Sequence, residues 1–472
     1  MGSIARRTLL AATLAALVLP AAALPATAQE AAPAPPSRPN IVVFLADDMS
    51  YADIAPDGDR NARTPNLSRL AADGLAFDKA FAASPTCAPS RAAMLTGLMP
   101  ARNGAEANHE RPDPAIRKLP SYLQAQGYQV VAIGKVAHYK DASFYGFDYQ
   151  AHDTFHDDAS IPEAIKWLKE RKDKRPLALF VGSNWPHVPW PGSTDGFDPK
   201  ALSLPAKTVD TPETRQARAQ YYAAVQRLDL ELGDVLTATD EVLGKDTFLL
   251  FSSDQGTQWP FGKWNLYDAG IHVPLIVRWR GQVTPGSHTQ AMVSWIDILP
   301  TLTEVAGGPP PTGIDGLSFA GALHPGSHFA GRQEIFATHN NDGDFNVYPA
   351  RSVRTQRWKY ILNLHPEYYF TTHTDQFAPL GGDAYFASWR RAAQADPSAA
   401  RIVKAYYQRP AEELYDLEAD PEETRNLADD ATHARVLKDM RARLGNWRRL
   451  QGDDHPVKGK PHLNADPLPK DK

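Results

Sequence analysis

Four apolar runs in this chain each end in a small cluster of polar residues, and this repetition restricts the fold most. The first run, residues 40–45, is followed at once by Asp47 and Asp48. Three later runs, residues 128–133, 176–181 and 247–251, are followed by Lys135 and His138, by His187, and by Asp254 and Gln255. Runs of this length without polar alternation are typical of strands buried on both faces of a parallel sheet.

Amphipathic stretches lie between these runs, which predicts an α/β fold. Alternating strands and helices form a doubly wound, mostly parallel sheet with helices on both faces. Ligands bind such sheets beyond the carboxyl ends of the strands, so we expect the four polar clusters to meet at one edge. Single strands are also predicted over Leu75–Phe81 and Val273–Val277, and the helix that begins near Thr211 is expected to end near Leu236.

The pattern changes in the C-terminal third, where short apolar runs at residues 335–339, 351–353, 358–362 and 413–416 are typical of antiparallel strands. A helical pattern follows at residues 431–447. We therefore predict an N-terminal domain over residues 39–334 and a smaller antiparallel sheet-and-helix domain over 335–452. Residues 453–472, rich in Pro and Lys, are expected to form a flexible tail.

Residues 1–28 are typical of a cleavable export signal, with Arg6 and Arg7 before an apolar segment and small residues at 26–28. The arginine pair is compatible with twin-arginine export. Pro20 interrupts the apolar segment, so no membrane anchor is expected after signal removal. Residues 29–38 are predicted to be a linker, and the mature protein is expected in the periplasm or outside the cell.

The charge of the chain excludes one class of partner. The formal net charge is −5 and no long Lys/Arg run occurs, so no nucleic-acid partner is expected. An anionic substrate would have to be held by a few local cations.

Cys87 is the only cysteine among 472 residues, so it cannot close an internal disulfide after export. A lone cysteine is usually a small buried apolar side chain. Here, however, Pro89 and Ser90 favour the first turn of a helix that Gly97 ends. Cys87 should therefore lie just before a helix N-terminus, where free N–H groups favour negative charge, and Arg91 follows one turn later.

The two adjacent carboxylates of Asp47 and Asp48 repel each other unless a cation or hydrogen-bond donors compensate. A helix cap or an Asx turn would also explain them. With Asp254 and Gln255 they form a set of oxygen donors, which suits Ca²⁺, or less well Mg²⁺, and gives no indication of zinc.

The motif Cys87-x-Pro89-Ser90-Arg91, followed by Leu95-Thr96-Gly97, resembles the signature of the type I sulfatases of the alkaline phosphatase superfamily. In that family a maturation enzyme converts the cysteine to Cα-formylglycine, and the hydrated aldehyde is the nucleophile. The resemblance implies an alkaline phosphatase-like fold, a formylglycine at position 87, and a catalytic domain over residues 39–334.

The resemblance also implies a role for each polar cluster. One calcium would be held by Asp47, Asp48, Asp254, Gln255 and the modified Cys87, although many family members carry Asn or His at the position of Gln255. Catalytic roles would fall to Arg91 on the hydrated aldehyde, Lys135 and Lys263 on the sulfate oxygens, His138 on the hydrate and His187 at the leaving group. Taken alone, Lys135 would be a solvated loop residue, and His187 would pack against Trp185 or Trp190.

Several segments resemble the heparan N-sulfatase (sulfamidase) branch: residues 182–191, 265–267, 348–353 and 413–416. The loop Gly134-Lys135-x-x-His138 instead resembles the iduronate-2-sulfatase type, and Lys263 stands where sulfamidase has Arg. We therefore expect a carbohydrate sulfatase acting on glycosaminoglycan-type glucosamine sulfate, with His109 and His339 as further substrate contacts. The alternatives are a phosphate or phosphonate monoester hydrolase, and a sulfated-glycan binding protein if Cys87 is not matured.

Overall fold

The computed structural model describes residues 38–326, 329–376, 383–454 and 457–467. The predicted export signal and residues 29–37 of the predicted linker lie outside the described residues.

The strands within these ranges are β1 (Ile41–Ala46), β2 (Leu75–Phe77), β3 (Ala80–Phe81), β4 (Gln129–Gly134), β5 (Tyr149–Ala151), β6 (Leu177–Gly182), β7 (Phe248–Ser253), β8 (His272–Val273), β9 (Leu275–Arg278), β10 (Ser287–Thr289), β11 (Val293–Ser294), β12 (Ile335–Asp342), β13 (Asn346–Arg354), β14 (Trp358–Asn363) and β15 (Glu412–Asp416).

The α-helices are α1 (Pro65–Ala72), α2 (Cys87–Thr96), α3 (Pro100–Asn103), α4 (Leu119–Ala125), α5 (Ala142–Tyr145), α6 (Ser160–Glu170), α7 (Pro212–Val242), α8 (Asp268–Ile271), α9 (Ile298–Val305), α10 (His373–Gln376), α11 (Asp383–Ala392), α12 (Pro397–Tyr407) and α13 (Ala434–Gln451). Short 3-10 helices lie at Tyr51–Asp53, Ala55–Asp57, Trp295–Asp297, Ala320–Leu323 and Ala431–His433.

An eight-stranded sheet forms the centre of the molecule, with the order β10-β2-β9-β7-β1-β6-β4-β5. All neighbouring pairs are parallel except the two that β9 makes, with β2 and with β7. The prediction of a mostly parallel sheet is therefore confirmed.

Helices cover both faces of this sheet, as predicted. Ile41, Val43 and Leu45 of β1 point into a core that includes residues of α2, α4 and α9. The alternating residues Val42 and Phe44 point into a second core that includes residues of α1, α6 and α7. A strand buried on both faces has no polar position, which explains its uninterrupted apolar sequence.

Three predicted elements are corrected by the structure. The strand expected over Leu75–Phe81 is two strands, β2 in the large sheet and β3 in a small sheet of order β11-β3-β8. The strand expected over Val273–Val277 is split at Pro274, which has no N–H for a continuous ladder. Helix α7 extends to Val242 rather than to the region of Leu236, because the first helix breaker is Gly244, in a left-handed conformation (φ 89°).

The smaller C-terminal sheet is antiparallel, with the order β12-β13-β14-β15. Helix α13 packs on it through Leu437 and Met440, which meet Val353 and Leu414 in a separate core. The predicted sheet-and-helix architecture is therefore confirmed.

Part of the segment predicted to be a flexible tail is tied to this smaller domain. Asp453 is buried, and its Oδ1 lies 2.7 Å from Nη2 of Arg351 on β13. Further along, Leu463 pairs with Tyr368 in an isolated antiparallel bridge. These contacts could not be predicted from the local sequence, because the residues that hold this segment, Arg351 and Tyr368, lie about a hundred positions earlier in the chain.

None of the helices in the described part of the chain has both the length and the apolar composition that a bilayer crossing requires.

The ends of β4 and β6 approach each other so closely that both require glycine. Gly134 and Gly182 face each other in the parallel register, and the carbonyl of Gly182 accepts a hydrogen bond from the backbone N–H of Lys135. A Cβ at Gly182 would lie 2.2 Å from the backbone of Lys135, far inside van der Waals contact. These two glycines therefore set the position of Lys135.

We predict that Gly182→Ala lowers the free energy of unfolding by about 1–3 kcal/mol, because the backbone of Lys135 must shift to admit the methyl group. Urea denaturation of the purified protein measures the effect. Gly192→Ala is the matched control, since a Cβ there has no atom within 4 Å. Equal stability of the two variants would contradict the prediction.

Candidate active site

The four polar clusters of the sequence meet because their strands are neighbours. Strands β7, β1, β6 and β4 are consecutive in the large sheet, and parallel strands carry their carboxyl ends to the same edge. The residues that gather there are buried: Asp47, Asp48, Cys87, Arg91, Lys135, His138, His187, Asp254, Gln255 and Lys263. The structure thus brings together all the site residues predicted from the sequence.

Cys87 lies at the centre of this group. It is the first residue of α2, with Thr86 as N-cap, rather than the residue before the helix. Its Sγ lies 3.1 Å from Nε2 of Gln255 and 3.8 Å from both Oδ1 of Asp47 and Nζ of Lys135. Burial raises the pKa of the thiol to about 12, so the unmodified side chain is a protonated, unreactive thiol at neutral pH.

Arg91 links two of the carboxylates. Its Nε lies 2.8 Å from Oδ2 of Asp254, its Nη2 lies 3.2 Å from Oδ1 of Asp47, and its Nη1 donates to the carbonyl oxygen of Lys135. The side chain has no exposed surface. A planar guanidinium holds such partners in fixed directions, so Arg91 sets the orientation of both aspartates.

Two lysines pair with the carboxylates that follow β1. Lys135 Nζ donates to Oδ2 of Asp47, and Lys263 Nζ lies 2.8 Å from Oδ2 of Asp48. Lys135 is completely buried, so the interpretation of a solvated loop lysine is wrong. Burial opposes its charged form, but Asp47 and Cys87 raise the pKa of Lys135 above its usual value.

The three aspartates differ in how well their charge is compensated. Burial opposes ionisation of Asp47, but its cationic neighbours, Lys135 foremost, hold its pKa well below the usual value. Burial raises the pKa of Asp48, and it raises that of Asp254 to about 7. The protein's own cations therefore do not fully stabilise the negative charge of the cluster, and an added cation would.

The arrangement of Gln255 also fits a cation. Its Nε2 donates to Oδ1 of Asp48, whereas its Oε1 is buried and has no hydrogen-bond partner among the described residues. Rotating the side-chain amide of Gln255 by 180° would turn Oε1 toward the aspartate carboxylates. Oxygen atoms facing each other in this way are stabilised only when a cation lies between them. Ligand atoms of Asp47, Cys87 and Asp254 all lie within 4.8 Å of one another.

The surroundings of the two site histidines favour the neutral form of each ring. His187 Nδ1 is hydrogen-bonded to the carbonyl oxygen of Val188, and its Nε2 lies 3.6 Å from Oδ2 of Asp48. Burial, followed by the charge of Lys263, lowers the pKa of His187 well below the usual value. Burial, followed by the charge of Lys135, does the same for His138.

The surroundings of these histidines were only partly foreseen. His138 packs against His109, at 4.7 Å between ring centroids, and the ring contacts of His187 are with Phe155 and His156. His109 therefore borders the site, and its expected contact with substrate stays a prediction. His339 was also expected to contact substrate; its side chain is buried in the C-terminal sheet and hydrogen-bonded to Asn346, and the expected contact stays a prediction.

Three residues of the site were missed in the sequence: Tyr139, Phe155 and His156. The Tyr139 hydroxyl accepts a hydrogen bond of 2.9 Å from Lys135 Nζ, which also lies 4.3 Å from the centre of the Tyr139 ring. Tyr139 directly follows His138, and that adjacency was the one available signal. Phe155 and His156 belong to a loop whose position depends on tertiary contacts.

Comparison with known proteins decides the family. The family model described as Sulfatase matches residues 39–308, which is more than half of the chain. This chain belongs to the sulfatase family. It is a sulfuric ester hydrolase, and the resemblance recognised in the Cys87 motif is confirmed. A second model, N-sulphoglucosamine sulphohydrolase, C-terminal, matches residues 256–377.

Two curated sulfatases illustrate the relationship. An ulvan-active sulfatase of Formosa agariphila is 30% identical over 436 residues, covering 90% of this chain and 82% of the relative. The human N-sulphoglucosamine sulphohydrolase is 29% identical over 466 residues, covering 87% of this chain and 89% of the relative.

Solved structures confirm the alkaline phosphatase-like fold of this sulfatase. A structure solved in complex with its substrate D-glucosamine-2-N,6-O-disulfate has a TM-score of 0.67 at 19% identity, covering 90% of this chain and all of that one. The phosphonate monoester hydrolase of Agrobacterium radiobacter has the same TM-score at 20% identity, covering 88% and 96%.

Proposed function

We propose that this sulfatase hydrolyses the N- or O-sulfate of a glucosamine-containing saccharide, with a formylglycine at position 87 and one bound calcium. The observation that carries the substrate class is the match of residues 256–377 to the C-terminal model of N-sulphoglucosamine sulphohydrolase. This segment contains Lys263, which is part of the site, and all of the β12–β13 hairpin. The human relative of that name supports the same class.

The environment of Cys87 supports its conversion. A buried thiol with a raised pKa is a poor nucleophile, whereas a hydrated aldehyde at this position would supply an oxygen nucleophile for sulfur. The side chain at 87 already lies between the amide of Gln255 and the ammonium of Lys135, where a developing negative charge is stabilised. A formylglycine-generating enzyme would be the partner required for maturation.

The calcium would be held by Asp47, Asp48, Asp254, Gln255 and an oxygen at residue 87. These are hard oxygen donors, which Ca²⁺ prefers. When bound, the ion would supply positive charge beside the attacking oxygen and the sulfate. It would also lower the raised pKa values of Asp48 and Asp254, so that both carboxylates are ionised in the loaded enzyme.

The remaining side chains of the site have different roles in the proposed reaction, which follow from their chemistry. Lys135 and Lys263 present ammonium groups to the sulfate oxygens, over which negative charge is spread in the transition state. Arg91 keeps the aspartates and the first turn of α2 in register. The neutral His187 ring carries its one proton on Nδ1, which is bound to the Val188 carbonyl. The negative charge of a bound sulfate favours protonation of Nε2, and the imidazolium then gives that proton to the leaving oxygen or nitrogen. His138 accepts a proton from the hydrated aldehyde at residue 87 and returns it later in the cycle.

The N-terminal sequence supports export, and we propose a periplasmic or extracellular enzyme. Sulfated polysaccharides are too large to cross a membrane, so an exported enzyme would meet them directly.

We predict that the matured enzyme releases sulfate from disaccharides carrying N- or O-sulfated glucosamine. A panel of defined sulfated disaccharides, assayed for free sulfate, tests this substrate class. An aryl phosphate included in the panel tests the alternative phosphatase activity. Release of sulfate only from uronic acid or galactose residues would contradict the proposed substrate.

Two controls accompany the panel. Peptide mass spectrometry of the same preparation should find an aldehyde at residue 87, and Cys87→Ala should release no sulfate. Full activity of a preparation in which residue 87 is an intact thiol would overturn the proposed mechanism.

We predict that calcium raises the thermal unfolding temperature of the chelator-treated protein, because a ligand that binds only the folded state stabilises it. Gln255→Leu should weaken this effect, since it removes one oxygen ligand, whereas Gln220→Leu on α7 should not. Calorimetry with added Ca²⁺ measures both shifts. Stoichiometric zinc without calcium in the purified enzyme would argue against the proposed ion.

We predict that His187→Ala slows hydrolysis of a saccharide sulfate by about 10²–10⁴-fold, because a sugar alkoxide needs a proton to leave. The rate of hydrolysis of a nitrophenyl sulfate should fall much less in this variant, since nitrophenolate leaves without being protonated. His138→Ala should slow both substrates, because its proton exchange at residue 87 is needed whatever the leaving group.

Steady-state rates on the two substrates measure this difference. His288→Ala, at an exposed histidine on the edge strand β10, is the control and should retain both activities. If His187→Ala lowered the rates on both substrates by the same factor, His187 would not be the general acid.

A further inference from the structure

The loop of residues 152–157 is held in one conformation beside the active site. The backbone N–H of His156 donates to Oδ1 of Asn184 at 3.2 Å, and Nδ1 of His152 lies 2.8 Å from Oδ2 of Asp157. His152 and His156 both have left-handed backbone conformations, with φ of 56° and 49°, which non-glycine residues rarely adopt. These contacts present Phe155, between them, in a fixed direction.

Phe155 is supported on one side and open on the other. Its ring centroid lies 5.5 Å from Tyr139, 4.5 Å from His156 and 5.5 Å from His187, and all three rings are nearly perpendicular to it. Nevertheless 44% of the residue remains exposed. An aromatic ring fixed by three others with nearly half of its surface uncovered is a preformed contact surface.

This open surface lies next to the reacting groups. Phe155 contacts Tyr139 and His187. Tyr139 is hydrogen-bonded to Lys135, and His187 Nε2 lies 3.6 Å from Asp48. A single ring therefore separates Phe155 from each of these two charged residues of the site. A group lying on Phe155 would be placed beside the ring that protonates the leaving atom.

We propose that Phe155 is a specificity-determining residue on which the sugar ring of the substrate stacks. This rests on the proposed function in one respect, that the substrate is a saccharide sulfate. A pyranose ring has an apolar face of C–H groups, and the negatively polarised face of an aromatic ring attracts such hydrogens. Stacking there would turn the sulfated atom of the sugar toward His187 and the sulfate toward the lysines.

Exposure alone would not support this proposal, because single exposed apolar residues are common on protein surfaces. Leu230 on α7 and Leu450 on α13 are more exposed than Phe155 and lie on the outer surfaces of helices. Phe155 differs from them because two residues of the active site, Tyr139 and His187, are among the three rings that support it.

The test uses the full-length protein with Cys87→Ala, which binds substrate without turning it over. In this protein Phe155→Leu should raise the Kd for a sulfated glucosamine disaccharide about tenfold, because leucine is apolar but has no ring face. Phe155→Tyr should bind as Phe155 does. The Kd for methyl sulfate, which has no sugar ring, should be unchanged in every variant.

The matched control is Tyr149→Leu, at a half-exposed aromatic residue stacked on Trp167 away from the site, and it should change neither constant. An unchanged disaccharide Kd in Phe155→Leu would overturn the proposal. An equal rise of the Kd for the disaccharide and for methyl sulfate would also overturn it, because Phe155 would then act on binding of the sulfate group rather than of the sugar ring. Failure of the matured wild-type enzyme to release sulfate from any saccharide would overturn the proposed function instead, whatever the binding constants show.

Discussion

The site depends on a buried balance of charge between three carboxylates and three cations. Asp47, Asp48 and Asp254 face Arg91, Lys135 and Lys263, and none of the six has appreciable exposure. Removing each ion from water costs several kcal/mol, so the cluster is stable only while every charge keeps its partners. Arg91 is the member on which the others depend, because it alone contacts two aspartates and the backbone of the Lys135 loop.

This balance explains how a chain with a net charge of −5 can bind an anion. The proposed divalent cation would add two positive charges to three carboxylates and three cations whose formal charges sum to zero. A sulfate ester and an ionised oxygen at residue 87 bring two negative charges, so the loaded site would be neutral again. The low dielectric of the buried edge would make any other total charge costly, so the proposed loaded site would favour a singly charged ester.

The sequence predicted the polar clusters at the strand ends because the fold places them by a simple rule, whereas Cys87, Arg91 and Lys263 were assigned through the family resemblance. β7, β1, β6 and β4 are consecutive, so their terminal clusters meet whatever the connecting loops do. The residues contributed by loops around these clusters follow no such rule. Phe155 and Tyr139 acquire their roles through contacts between loops, and Asp453 is fixed by Arg351 about a hundred residues earlier. Pro274 could have been foreseen to break its strand, but the reversal of β9 depends on the chain path around it.

The fold by itself does not distinguish sulfate from phosphonate chemistry, since the phosphonate monoester hydrolase and the glucosamine disulfate complex match it with equal TM-scores. The charge of the site bears on a different alternative, the phosphate monoesters. Both groups of candidate metal ligands among the described residues contain Cys87, so they outline one cation site rather than a pair. A phosphate monoester dianion would bring one more negative charge than a sulfate ester, and one divalent cation would leave it uncompensated in a buried cluster. With the proposed single cation, this charge argument favours a sulfate ester over a phosphate monoester, whereas a phosphonate monoester carries the same single charge as a sulfate ester.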